Sequence, residues 1–394
     1  MRLSPGLLLL SALVVLSMPA RAADAGPVRL LEARSTDLVA GPANRVGLLS
    51  PDGRKVLYVG DEVCVFDIDD TGAWNSRLCM GADLPRQLNG SSEMLWSPEG
   101  DALLLPTFST AFKSFRDTDI GLLSSSDLTQ RMLTEDGISG SLLKSAGASL
   151  DVSPRWIGAD TIAFIRYVVG DGGRITDDPP RLMTIPAGGG AATQLLEISA
   201  GPASVYALAI SPDGATIAYA VDNGVASETA GIFVVPATGG DPVRIAGFEP
   251  MGERAPVSLT FSADGAQLLA LGLNAAGTGV DAHVIDAVTG DIAPVDASRT
   301  IMGVAWAPEG AALAYIAHNS ETDEAPGGLF VAATPGGPEH LLLEGRLLPP
   351  FCCGDFPFVW ASDGTLLLSD IEDGFRLLHV RLDTSGENNG RIDR

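Results

Sequence analysis

The chain has 394 residues, 46% of them hydrophobic, with 49 acids against 25 lysines and arginines and a formal charge of −24. That balance excludes a nucleic-acid groove, which needs clustered cations against the phosphates: only Lys55, Lys113 and Lys144 occur as lysines, and the arginines are scattered. Acidity of this kind keeps a protein dispersed in water.

The first residues read as an export signal. Arg2 supplies a positive start, Leu7 to Leu16 (LLLLSALVVL) an apolar run, and Ala20-Arg21-Ala22 a small-x-small cleavage site, so residues 1–22 are expected to be removed. An apolar run of about ten residues is half the ~20 that cross a bilayer. The first cysteine, Cys64, is far from the cleavage site, so neither a membrane span nor a lipid anchor is expected. The expected location is the periplasm or the exterior, and residues 27–394 are expected to form one domain.

Beyond the signal one tetrapeptide recurs: SPDG at Ser50, SPEG at Ser97, SPDG at Ser211, SADG at Ser262, APEG at Ala307 and ASDG at Ala361, with a degenerate copy at Ser153. Proline at the second position presets φ for a type I turn, Asp or Glu tolerates the third, and glycine at the fourth permits positive φ. Short β-prone runs flank each turn, as in Tyr206 to Ile210 (YALAI) and Thr216 to Val221 (TIAYAV). A third run, a glycine turn and a fourth run follow, most plainly in GIFVVPA-TGG-DPVRI from Gly231 to Ile245. Four antiparallel strands per unit of roughly 40 to 60 residues is the pattern of propeller blades. The expected fold is an all-β propeller of seven four-stranded blades, a six-bladed ring with one irregular copy being the alternative. The seventh unit lacks a convincing outer strand in its tail, Asn388 to Arg394. Pro27 to Ala33 (PVRLLEA) resembles the fourth strands elsewhere, so the N-terminal strand is expected to close the ring.

The SPDG turns followed by IAYA-like strands resemble the TolB-like (WD40-like) propeller repeat over nearly the whole mature chain. The resemblance implies an exported protein that binds through a propeller face. It departs from TolB itself, in which an α/β domain precedes a six-bladed propeller.

Tight turns occupy one end of the units, whereas longer connections crowd the other: Ser109 to Asp119, Val169 to Pro180, Asn223 to Ala230 and Asn319 to Gly327. Binding groups are often carried on long loops over a rigid scaffold, so this end is the expected binding face. Asp171, Asp177, Asp178, Glu321, Asp323 and Asp355, with His318 at the end of a second strand, are the candidate binding residues there. They suit a cationic partner or, through oxygen ligands, Ca²⁺, although no stretch has the spacing of a calcium loop and no cofactor is expected.

Four cysteines in an exported chain favour disulfides. A two-residue turn at Thr71-Gly72 places Cys64 opposite Cys79 at a hydrogen-bonded position, with Cα atoms about 5.5 Å apart. Cys352 and Cys353 are adjacent, in the loop entering the innermost strand of the seventh unit; an oxidised pair is the plain reading, a reduced pair a soft-metal or redox site. Trp96, Phe261, Trp306 and Trp360 precede the turn at one repeat position and are expected to pack between blades. His283, His340 and His379 fall in third or fourth strands, away from the axis, and no G-x-S-x-G elbow, phosphate loop or paired-CxxC pattern occurs. No catalytic residues are assigned. The expected function is a monomeric scaffold for an envelope protein or peptide. The alternative is a small-ligand binder or metal-assisted hydrolase working at the channel mouth.

Overall fold

The computed structural model describes residues 28–35, 46–59, 62–69, 73–80, 95–108, 118–135, 149–171, 174–199, 202–222, 229–251, 255–273, 279–295, 299–318, 327–348, 358–370 and 376–383. Within them the strands fall into seven antiparallel four-stranded groups, here called sheets one to seven, at 46–80, 95–132, 149–197, 204–246, 258–294, 300–344 and 347–383. Sheet seven takes its outer strand from the other end of the chain: Arg29–Ser35 pairs with Arg376–Asp383. Sheets five and six are joined by strand pairing at one residue pair, Val280 with Ile301.

A second strand has neighbouring sheets on both sides, so consecutive apolar residues point to opposite neighbours. Leu57 packs with Leu103 between sheets one and two, Leu104 with Phe164 between two and three, and Ile165 with Tyr219 between three and four. Ala218 and Leu268, Leu269 and Leu313, Ala314 and Leu366 carry the series onward, and Leu367 with Val56 joins sheet seven to sheet one. The core is thus a series of seams between sheets. The repeated tryptophans span them: Trp96 Nε1 donates to Leu48 O at 3.0 Å and Trp306 Nε1 to Thr260 O at 3.2 Å, each reaching the innermost strand of the preceding sheet.

The tetrapeptide forms the first turn of six sheets. Its glycines have positive φ, from +68° at Gly100 to +85° at Gly364. The degenerate copy does not. Ser153 and Pro154 lie inside Ser149–Ile157 at a register shift between Val152 and Arg155, with Ser153 at φ +54°. The chain reverses after Ile157 instead, around Gly158.

Candidate binding face and seam cavity

At the tight-turn end, the turn polar groups are spent on the turns. Ser50, Ser211 and Ser262 are buried; each hydroxyl donates to the aspartate two residues on, at 2.5 to 2.6 Å, and accepts the N–H five residues on, at 2.9 to 3.0 Å. Hydrogen bonds from the Ser211 hydroxyl and then the Ala215 N–H hold Asp213 below the usual carboxylate range. Backbone N–H groups of Thr129 and Thr289 do the same for Asp127 and Asp286 in third-to-fourth turns.

The opposite end is different. In sheet three the second and third strands continue past the sheet as a narrow ribbon, through the bridge Val169–Ile175 and the Gly170 N–H to Arg174 O bond of 2.8 Å. This ribbon and its base carry Asp171, Asp177 and Asp178, all exposed, with Asp178 Oδ2 accepting from the Thr176 hydroxyl at 2.8 Å. Three innermost strands shift register near this end: Val152/Arg155, Val205/Ala207 and Ile301/Gly303. Such bulges re-aim side chains. Tyr206, the residue skipped in sheet four, is 42% exposed, and Ile175 (43%) and Leu273 (45%) are exposed at the same end. The Val205 N–H donates to Tyr167 Oη at 2.8 Å, tying sheet four to sheet three beside the bulge. Asp151, fully buried in the innermost strand of sheet three, is clamped by Arg166 through two 2.7 Å bonds.

His318 is half-buried, and its Nε2 lies 2.8 Å from Leu347 O, so it joins sheet six to sheet seven. Of the other candidates, Glu321, Asp323, Asp355, Cys352 and Cys353 lie outside the described residues, as does the Thr71-Gly72 turn. Among the described residues no helix is long and apolar enough to cross a membrane.

Cys64 and Cys79 form a disulfide and pair directly across the third and fourth strands of sheet one. Their Cα atoms are 4.1 Å apart, which corrects the expected 5.5 Å: this spacing belongs to the narrow, non-hydrogen-bonded pairing. The register shifts between Phe66 and Asp67, below the cysteine pair. Glu62 Oε2 lies 4.0 Å from Cys64 Sγ, but with both sulfurs in the bond neither is a thiolate ligand.

A cavity of about 320 Å³ opens between sheets one and seven near the tight-turn end, lined by Gly53, Arg54, Ile68, Asp69, Asp363, His379 and Arg381. The first turns of the two sheets meet beside it. The Ser362 N–H donates to Pro51 O at 2.9 Å, and a Cβ on Gly53 would lie 2.2 Å from Asp363 Oδ1. Sequence reasoning set His379 aside as distant from the axis; it is 2% exposed at this seam. Elsewhere, burial lowers the pKa of His283, partly offset by Asp281, and pushes the Tyr219 hydroxyl up to about 12.

No family model and no curated protein matches the chain. Among solved structures, an oligogalacturonate lyase from Vibrio parahaemolyticus is 13% identical, with 90% of this chain covering 98% of that one at a TM-score of 0.55. The β-propeller domain of Cps50 (Swd1) from Myceliophteria thermophila is 12% identical, over 88% of this chain and 99% of that one, at 0.51. TolB from Acinetobacter baumannii also matches, 13% identical over 85% and 78% at 0.40, and adds no further argument. At such identities the likeness is one of fold, and the fold is a β-propeller.

Proposed function

We propose that the protein is an exported propeller that docks a protein or peptide of the cell envelope on its long-loop face, as a non-catalytic scaffold. The observation that carries this reading is the contrast between the two ends. One carries tight turns in which, at Ser50, Ser211 and Ser262, the hydroxyl and the following aspartate are bonded within the turn. The other offers an extended ribbon, bulged innermost strands and exposed Ile175, Tyr206 and Leu273 beside exposed Asp171, Asp177 and Asp178. Exposed aromatic and aliphatic side chains supply contact area for a partner, and the acids favour one bearing cationic groups. The N-terminal pattern and the Cys64–Cys79 disulfide support export, since such bonds persist in oxidising compartments.

The test is crosslinking of the tagged protein in living cells, with capture from the envelope fraction against a tagged, unrelated exported control. The expected result is one near-stoichiometric partner that is lost with Tyr206→Ala or with Asp177→Asn and Asp178→Asn together, and retained with Ser211→Ala on the opposite end. No enrichment over the control, or a partner indifferent to the loop-face variants, would overturn the reading.

A further inference from the structure

We infer that the cavity between sheets one and seven is a binding site for a small oxyanion, a carboxylate or phosphate group held between Arg54 and Arg381. The argument begins with charge. In a chain with 49 acids and 25 bases, an arginine is expected to find a carboxylate, and two line this one cavity. Neither guanidinium is engaged in a hydrogen bond or ion pair among the described residues, and Arg381 Nε is buried without a partner.

The two aspartates in the wall accept hydrogen bonds within their own turns, and among the described residues neither forms an ion pair with Arg54 or Arg381. Asp363 Oδ1 accepts the Thr365 N–H at 2.9 Å. Asp69 accepts the Ala73 N–H at 3.0 Å with Oδ1 and the Asn75 side-chain amide at 2.5 Å with Oδ2. A buried guanidinium donor left without an acceptor costs free energy, and a planar oxyanion meets the guanidinium fork with two parallel bonds. Arg54 comes from sheet one and Arg381 from sheet seven, so an anion between them bridges the seam, with the buried His379 in the same wall. The volume is at the lower end of the roughly 300–1,000 Å³ typical of ligand pockets, which suits a small molecule.

A ligand that binds only the folded protein raises its melting temperature in a saturable way. The mature protein is melted with increasing inorganic phosphate or malonate, ionic strength being held constant with chloride. A saturable rise with phosphate alone assigns a phosphate-bearing ligand, and a rise with malonate a carboxylate. In either case Arg54→Gln and Arg381→Gln, melted without ligand first to establish that they fold, should weaken the response about tenfold or more, whereas Arg346→Gln, an exposed arginine outside the cavity, should leave it intact. Arg54 is exposed, so its variant keeps the test open if Arg381→Gln fails to fold. No saturable response to either anion, or one unchanged in both cavity variants, would overturn the assignment.

Discussion

The two seams of sheet seven are built differently. On one side Leu366, Leu368, Val380 and Leu382 pack with Ala314, Ile316, Leu329 and Val331 of sheet six, reinforced by Trp360, by Leu30 of the N-terminal strand and by Val28 just before it. On the other side, among the described residues, Leu367 and Ala361 meet Leu49, Val56 and Ile68 of sheet one, with Tyr58 and Trp74 partly buried against them, and a cavity with two arginines opens beside this smaller cluster. The disulfide lies on this thinner side. Val63 and Val65 pack toward sheet two, so alternation turns Cys64 toward sheet seven. Among the described residues the seam between sheets one and seven thus relies less on apolar packing than its neighbour does, and more on a covalent link and polar groups.

The largest effect expected is from removing the strand that joins the ends. Deleting residues 27–35 takes the outer strand from sheet seven, with Val28 and Leu30, and exposes the edge of Arg376–Asp383. If the ring is closed by this strand, circular dichroism should show loss of the cooperative melt. An unchanged melt would remove closure from the account of the fold.

Next come adjacent leucines that face opposite seams. Leu366→Ala and Leu367→Ala each truncate a side chain no more than 1% exposed. Truncations of this kind cost about 2–5 kcal/mol, least where the surroundings can relax into the space. Leu366→Ala should fall at the upper end and Leu367→Ala at the lower, by urea titration. Equal costs would mean that the seams are equally tight.

Much of this architecture can be read in the sequence because it repeats locally. The turn needs an acid third and a glycine fourth in a tetrapeptide begun by serine or alanine, and the strands on either side are short apolar runs. Ser153 misled because Ser-Pro resembles the motif, while the true reversal has its glycine first, at Gly158, not fourth. The cavity was not legible. Its residues come from 53–54, 68–69, 363 and 379–381, and only the pairing of the two chain ends brings sheet seven against sheet one. His379 looked inert because the axis was the expected site. The Cys64–Cys79 pairing was legible because two strands of one hairpin set it.

Third in size is the disulfide. Replacing Cys64 and Cys79 together by serine reopens a link over 15 residues, which the chain-entropy model puts at about 3 kcal/mol. The loss should appear as a lower urea midpoint. If the thin seam depends on the link, hydrogen exchange should rise in Thr365–Asp370 and Lys55–Val59 before it rises in sheets three to five. Uniform exchange throughout would show that the bond acts on the unfolded chain alone.

The smallest effect separates two kinds of unpartnered polar atom. Tyr219 is fully buried between sheets three and four, stacked on Phe233 at 5.6 Å, with no partner for its hydroxyl among the described residues. No carboxylate or cation accounts for its raised pKa, only burial. Here the seam is closed and the hydroxyl is a cost without a ligand, so Tyr219→Phe should be neutral or stabilise by about 1 kcal/mol. The sign with pH follows from the raised value: the neutral phenol is favoured in the folded state. Its contribution is therefore intact below pH 10 and is lost as pH rises from 10 through about 12, while the unfolded chain ionises first. The phenylalanine variant should lack that part of the alkaline decline in melting temperature. Arg381 should behave in the opposite way, because it lines a cavity and its replacement should weaken an anion response. If Tyr219→Phe were instead strongly destabilising, burial of an unpartnered group would not imply a missing ligand at either seam, and the case for the cavity would rest on its two arginines without ion-pair partners among the described residues.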